Sequence, residues 1–241
     1  MFLTSELKNY KIHASDGVMG KVKDLYFDDN KWAIRYAVVD TRKWLPGRRV
    51  LMSPASFRAL NEREKHVEVK HDKEVIRNSP TIPEENAVTK DDENSLISYY
   101  GWARYWAGSM IWGVVDQPMT FPRSTNDSSD NYENHVSDWQ TYNLRSEDET
   151  IGFKVHANDG KIGHIADLIV DTNYWKVSYV IVQNSEKFIE EAYFIFPIEK
   201  IQQVDWFEKD MYLNTSLSDV KLKKEYYTKT SILESFEIIQ N

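Results

Sequence analysis

One stretch of 31 residues occurs twice in the chain, and this repeat limits the possible folds more than any other feature. The first copy covers residues 10–40 and the second covers residues 153–183, so a constant offset of 143 aligns them without a gap. Thirteen of the 31 aligned positions are identical. A repeat of this kind marks a supersecondary unit that the chain uses more than once. We therefore expect two similar units within the 241 residues.

Each copy has the pattern of a small β unit. An Asp-Gly pair predicts a tight turn after the first strand, and a glycine inside the second strand predicts a bend or bulge. The alternation of Trp32–Asp40 predicts a third strand whose Trp-bearing face forms the core. A proline ends the fourth strand. We call the residues that set these turns, bends and strand ends the frame of each copy. The frame consists of Asp16, Gly17, Gly20, Asp24, Trp32 and Pro54 in the first copy, and of Asp159, Gly160, Gly163, Asp167, Trp175 and Pro197 in the second.

The spacing of these signals predicts a domain plan. Residues 1–79 form a first domain, and residues 144–241 form a second domain that ends in an apolar tail. Residues 80–143 form a linker, with an aromatic helix over about 93–112 and a flexible acidic stretch over 123–138. Five or six short strands per domain, joined by tight turns, indicate a mainly β fold of small antiparallel barrels.

The motif DG..GKVKDLYFDDNKWAIRYAVVDT, followed by RVLMSPASF, resembles the PRC-barrel family. The second copy repeats it as DG.IGHIADLIVDTNYWKVSYVIVQ and FIFPIEKI, so the resemblance covers about two-thirds of the chain. The family includes the cytoplasmic domain of the photosynthetic reaction-centre H subunit and the C-terminal domain of a ribosome maturation factor. The resemblance implies two PRC-type barrels with a binding or scaffolding role and no catalytic residues.

Charge and composition exclude several classes of protein. The net charge is −8, with +4 in residues 1–75 and −6 in residues 144–241, and an acidic chain is a poor general binder of nucleic acid. The absence of cysteine excludes disulfides and thiolate chemistry. The N-terminus lacks a signal-peptide pattern, and no run of 18 apolar residues occurs. These observations predict a cytoplasmic protein without a transmembrane segment.

No group of residues in the sequence predicts a reaction. Asp24 and Asp167 lie within strands, where we expect them to accept hydrogen bonds and fix a bend rather than act as acid and base. His13 and His156 occupy matching strand positions, and their spacing from other ligands predicts no metal site. The phosphate-cradling and nucleophile-elbow motifs are absent. We therefore expect neither an enzyme nor a bound cofactor.

The copies differ most in the loop after the third strand. The first copy carries a basic loop, Arg42–Arg49, whose candidate binding residues are Arg42, Lys43, Trp44, Arg48 and Arg49. The second copy carries the acidic sequence of residues 185–191 at the same place. The basic loop leaves three readings open: an ordinary solvated hairpin, a contact with RNA or the ribosome, or a contact with an anionic membrane surface.

The aromatic segment, residues 99–113, is the second candidate. Its rings exceed what one small barrel needs, and aromatic residues anchor protein interfaces. The candidate residues are Tyr99, Trp102, Tyr105, Trp106 and Trp112. They predict either a partner-binding face or internal packing and self-association as a homodimer. Together these observations favour a non-catalytic scaffold that binds another protein.

Overall fold

The computed structural model describes residues 1–84, 87–120, 143–184 and 192–239, and the side chains within these ranges up to Phe236. The fold is mainly β and contains two similar seven-stranded sheets. The chain divides into two compact units. The first-repeat unit comprises Leu7–Arg145 and Asn173–Trp175, and the second-repeat unit comprises Met1–Glu6, Ser146–Thr172 and Lys176–Asn241.

The sheet of the first-repeat unit has the strand order β5-β4-β3-β2-β7-β6, with β8 paired to β3. Its strands are β2 (Lys11–Ala14), β3 (Gly17–Asp28), β4 (Ile34–Asp40), β5 (Val50–Met52), β6 (Phe57–Asn61), β7 (His66–Val69) and β8 (Leu144–Ser146). A 3₁₀ turn, Pro54–Ser56, follows β5, so Pro54 ends that strand.

The sheet of the second-repeat unit repeats this order as β12-β11-β10-β9-β14-β13, with β1 paired to β10. Its strands are β1 (Phe2–Leu3), β9 (Lys154–Ala157), β10 (Gly160–Asp171), β11 (Lys176–Asn184), β12 (Tyr193–Pro197), β13 (Ile201–Asp205) and β14 (Asp210–Leu213). The 3₁₀ turn Ile198–Lys200 follows Pro197.

Six short helices complete the described chain. They are α1 (Thr4–Leu7), α2 (Lys73–Arg77), α3 (Lys90–Tyr100), α4 (Glu147–Thr150), α5 (Leu217–Lys221) and α6 (Lys229–Ile239). The carboxylate of Asp16 accepts a hydrogen bond from the backbone of Lys73 at 3.0 Å, and that of Asp159 accepts one from Leu217 at 2.8 Å. The repeated Asp-Gly turn thus also fixes the start of α2 and of α5.

The expectation of small antiparallel barrels is wrong in two respects. Each sheet contains one parallel pair, β2 with β7 and β9 with β14, so both sheets are mixed. The sheets are also open and not closed into barrels, since among the described residues no pairing joins β5 to β6 or β12 to β13. Turn signals predict where strands end, but they do not specify which non-neighbouring strands will pair.

The first strand of the chain belongs to the second-repeat unit rather than to the first. Phe2 pairs with Val170 and Leu3 with Ile169. Leu3 also packs in a buried cluster whose other members are Ile169, Ile181, Tyr193 and Ile232. The predicted domains, 1–79 and 144–241, therefore differ from the compact units, and described residues of the predicted linker, such as 87–120, belong to the first-repeat unit.

The aligned tryptophans occupy turns and not strands. Trp32 has φ 58° and Trp175 has φ 50°, and the strands begin only at Ile34 and Lys176. Both side chains are buried. The expected strand Trp32–Asp40 is thus two residues too long, because a left-handed residue cannot continue a strand. In β4, residues of both faces are buried, including Arg35 on the face that was expected to lie outside the core.

Gly20 and Gly163 lie where two strands approach closely. A Cβ at Gly20 would lie 2.1 Å from the carbonyl oxygen of Asp40, and one at Gly163 would lie 1.8 Å from that of Gln183. Only glycine fits such an approach. Register shifts next to both residues give the bulges that the sequence predicts.

Candidate functional site

Several side chains of the basic loop form hydrogen bonds with other residues of the first-repeat unit. The indole N–H of Trp44 donates to the carbonyl of Met19 at 2.6 Å. Arg48 donates to the carbonyls of Arg77, Ser79 and Pro80 at 2.9 to 3.1 Å. These contacts attach the loop to β3, to the last residue of α2 and to the residues that follow α2.

The other cations of this loop differ in exposure. Arg49 is half-buried, donates to the carbonyl of Glu84, and lies 5.7 Å from the ring centroid of Tyr26. Arg42 and Lys43 are exposed. Arg42 forms a salt bridge with Asp40 at 2.6 Å, and this contact lowers the pKa of the Asp40 carboxyl to about 2. The acidic counterpart, residues 185–191, lies outside the described residues.

The aromatic segment begins in α3, but the helix is shorter than the predicted range of about 93–112. It ends at Tyr100 because Gly101 has φ 71° and its N–H caps the carbonyl of Ile97. Tyr99 is half-buried and donates its hydroxyl to the carbonyl of Val75 at 2.8 Å. The remaining candidate rings are all buried within the first-repeat unit: Trp102, Tyr105, Trp106 and Trp112.

A buried ion pair lies beneath this segment. Arg35 and Asp28 meet at 2.8 Å, and both side chains are at most 2% exposed. The guanidinium lies 4.0 Å from the ring centroid of Tyr105 and 4.7 Å from that of Trp112, and it donates to the carbonyl of Ile111 at 2.8 Å. Such an arrangement combines charge, stacking and hydrogen bonding at one planar cation. Arg35 therefore holds residues 105–112 on the sheet.

A buried carboxylate holds the same segment from α3. Glu93 is 2% exposed and accepts hydrogen bonds from the hydroxyl of Tyr36, at 2.9 Å, and from that of Tyr105. Lys90 lies 3.5 Å from it. Burial raises the pKa of Glu93, although these three partners act in the opposite direction. The network links α3, β4 and the aromatic segment through polar groups that are costly to separate once buried.

A second chain of hydrogen bonds involves His71. The indole N–H of Trp102 donates to the hydroxyl oxygen of Ser56 at 2.6 Å, and Ser56 lies 2.9 Å from Nε2 of His71. Because Trp is only a donor, the simplest arrangement has Ser56 donating to an unprotonated Nε2. Burial lowers the pKa of His71, and the charge of Lys70 lowers it further. Ser56 is fully buried, so this pair positions Trp102.

Three apolar side chains at the end of the aromatic segment or just after it are exposed, although most rings of the segment are buried. Met110 is 46%, Val114 66% and Met119 41% exposed. Their backbone is ordered by hydrogen bonds, including those between Met110 and Gly113 and that from Ala103 to the carbonyl of Met119. The side chain of Lys31 also donates to the carbonyls of Gly108 and Met110. We call Met110, Val114 and Met119 the apolar face.

Sequence reasoning found the rings but missed the charged groups that hold them. Arg35, Asp28, Glu93 and Lys90 were not candidate site residues. One signal was present, because Arg35 has an uncharged counterpart, Ser178, in an otherwise similar strand. A charged residue inside an apolar strand of only one copy indicates a contact that only this copy makes.

The paired aspartates and histidines lie within the sheets. Asp167 is fully buried and accepts hydrogen bonds from the hydroxyls of Thr4 and Ser5 and from Lys229. Asp24 accepts one from the N–H of Leu25 at 2.7 Å. Register shifts occur beside both aspartates.

No protein-family model matches the chain, and no curated protein is significantly similar to it in sequence. Within the described residues, no helix has both the length and the apolar character that crossing a membrane requires.

Proposed function

We propose that the protein is a non-catalytic scaffold that binds another protein through the apolar face of its first-repeat unit. The observation that carries this proposal is the contrast between the rings of the aromatic segment and the residues at its end. Trp102, Tyr105, Trp106 and Trp112 are buried, whereas Met110 and, just after the segment, Val114 and Met119 are exposed on an ordered backbone. Exposed apolar side chains on an ordered backbone are candidates for a protein contact, and in this proposal the three of them make that contact.

The buried network supports a binding role. Arg35 and Glu93 fix the segment from below, so a partner would meet a surface that is already ordered. Preorganisation reduces the entropy that binding must overcome, and it therefore increases affinity without additional contacts. Arg35 is paired with Asp28, and Glu93 lies beside Lys90, which favours a structural role for these charges over proton transfer.

The similarity to PRC-barrel proteins is part of the same proposal. The turn, the bend glycine, the aromatic residue and the strand-ending proline follow in the same order twice. Members of that family bind or scaffold other proteins, which agrees with a rigid frame that carries different surfaces. The RNA and membrane-surface alternatives, which depend on the basic loop, stay predictions, as does the cytoplasmic location.

Paired substitutions test this function. The tagged full-length protein captures its partner from cells of its source, and cross-linking with mass spectrometry identifies that partner. We expect the double variant Val114→Glu, Met119→Glu to lose it. Because both side chains are exposed, the thermal melting temperature should change little. Light scattering on the same variants shows whether the partner is a second copy, since a dimer would then become a monomer.

Phe207→Glu is the matched control, because Phe207 is 90% exposed and belongs to the second-repeat unit. It introduces a similar charge at an exposed apolar side chain outside the apolar face. A partner that is lost equally from both variants, or retained by both, would contradict the proposal.

A further inference from the structure

A groove of about 390 Å³ opens on the second-repeat unit, and nothing in the proposed function uses it. Five of its lining residues are polar or aromatic: His156, Asn158, Gln202, Gln203 and Tyr212. The volume falls within the range of roughly 300–1,000 Å³ that is usual for small-molecule sites.

The groove follows from the strand pairing. Tyr212 of β14 pairs with His156 of β9 on one side and with Gln203 of β13 on the other. Residues paired directly across strands have their side chains on the same face of the sheet, so these three form a row. A register shift between Ile201 and Gln203 adds Gln202 as an extra residue beside this row.

Two rings in the row are held in place. The ring of His156 stacks on that of Tyr212, with centroids 5.1 Å apart and planes inclined by 21°. Nε2 of His156 lies 2.9 Å from a carboxylate oxygen of Asp210, which fixes the imidazole. Tyr212 is 38% exposed. The rings therefore offer a planar ligand a stacking surface that requires little ordering.

The hydrogen-bonding groups around the rings are amides. Within the described residues, the side chains of Asn158, Gln202 and Gln203 make no hydrogen bond, although each amide has donors and an acceptor. No lining residue is a carboxylate, lysine or arginine. A charged ligand would find no countercharge among them, whereas an uncharged ring with a donor and an acceptor on its edge would be satisfied.

The first-repeat unit does not repeat this surface. At the positions of Tyr212 and Gln203 it has Glu68 and Ala59, which pair with each other and, through Glu68, with His13. His66 replaces Asp210, and its ring stacks on that of His13 with centroids 4.3 Å apart. The row of the first-repeat unit thus has the carboxylate of Glu68 in place of the Tyr212 ring, and Ala59 in place of the Gln203 amide.

We propose that the groove binds an uncharged, planar heterocycle with hydrogen-bonding groups on its edge, as in the base of a nucleoside. The base stacks on the ring pair of His156 and Tyr212. The amides of Gln202, Gln203 and Asn158 bind its edge, since Asn and Gln present the paired donor and acceptor that a base edge requires. The net charge of −6 in residues 144–241 favours the free nucleoside over a nucleic-acid strand.

Titration of the full chain with adenosine, followed by NMR, tests this site. We expect shifts in the ring resonances of His156 and Tyr212, and dissociation constants at least about tenfold higher for Tyr212→Ala than for the wild type, because stacking on an aromatic ring dominates such contacts. Gln203→Ala should weaken binding by a smaller factor. Glu68→Ala, at the equivalent position of the first-repeat unit, is the matched control and should leave the titration unchanged.

Two further probes test whether the ligand is a free nucleoside, a nucleotide or a nucleic-acid strand. Adenosine monophosphate and a short oligoadenylate should bind more weakly than adenosine, and tighter binding of either would overturn the preference for an uncharged ligand. The absence of shifts up to the solubility limit of adenosine would overturn the proposal, as would binding that survives Tyr212→Ala. Melting curves of each variant establish that the fold is intact.

Discussion

The two repeats share main-chain geometry and differ in the chemistry built on it. Trp32 and Trp175 both have positive φ, and Gly20 and Gly163 both permit a contact that no Cβ would allow. In contrast, Arg35 corresponds to Ser178. Positions that fix the backbone cannot change without strain, whereas a side chain can be replaced if its neighbours are replaced with it.

The repeats also use different segments to satisfy a buried aspartate. Asp167 receives hydrogen bonds from the chain's first residues, through Thr4 and Ser5, and from Lys229 on α6. The residue of the first-repeat unit that aligns with Asp167 is Asp24, and the buried ion pair lies elsewhere in that unit, between Asp28 and Arg35. The two units thus bury charges at different positions of the same frame, and these charges contact different segments of the chain.

The largest effect is expected from removing the cation that only the first repeat has. Arg35→Leu leaves Asp28 buried without its ionic partner, and breaking such a pair costs about 3–5 kcal/mol. Ser178→Ala at the matched position should change the free energy of unfolding by less than about 0.5 kcal/mol. Urea unfolding of both variants measures the difference. Equal effects would show that the two strands are not distinguished by this ion pair.

A substitution at the third residue tests the assignment of the N-terminus to the second-repeat unit. Leu3 is buried in the cluster of that unit, so Leu3→Ala should reduce the free energy of unfolding by about 3 kcal/mol. Hydrogen exchange should rise in β10 and β11 more than in β3 and β4. A rise confined to the first-repeat unit would contradict the assignment, although residue 3 lies next to that repeat in sequence.

The shared frame is tested by adding one methyl group to each copy. Gly20→Ala and Gly163→Ala should each destabilise the protein by about 2–3 kcal/mol, because the new Cβ meets a backbone carbonyl that cannot rotate away. Gly47→Ala is the control, since no atom lies within 4 Å of its Cβ position and its φ of +79° alone costs about 1 kcal/mol. Thermal or urea unfolding gives all three values. A large loss at only one of the two bend glycines would show that the copies differ here.

The smallest effect is a pH dependence of the first-repeat unit. Burial lowers the pKa of His13 and of His71 below 6.5, with His66 and Lys70 as the respective neighbouring charges. The unfolded chain then binds protons first as the pH falls below about 6.5, so stability decreases in that range. Glu93 acts in the opposite sense, because burial raises its pKa and its ionisation destabilises the fold as the pH rises.

Paired measurements separate these contributions. The difference in unfolding free energy between the wild type and a His13→Asn, His71→Gln double variant should depend on pH only below about 6.5. Glu93→Gln should instead alter the dependence from about pH 4.5 upward, where the carboxyl of the unfolded chain ionises first. If the difference for the double variant stays constant between pH 5 and 8, neither histidine contributes to the pH dependence of stability.

The sequence predicted those parts of the fold that depend on neighbouring residues. The repeat, the Asp-Gly turns, the bend glycines and the strand-ending prolines all lie where local backbone geometry requires them. Gly101 is a standard helix stop and marks the end of α3, whereas the aromatic periodicity beyond it predicts a longer helix than the structure contains. For the candidate site, the rings were found and Arg35 and Glu93 were not, since no local pattern shows which charges become buried.

The sequence by itself determined that one β unit is made twice, with its turns and bends at fixed positions. Only the tertiary structure decided that the sheets are mixed and open and that the first strand joins the second-repeat unit. The same holds for the rings of the aromatic segment, which are buried over an ion pair. The physical reason is the range of the interactions. Turns depend on a few adjacent torsion angles, whereas strand pairing and ion burial depend on residues far apart in the chain.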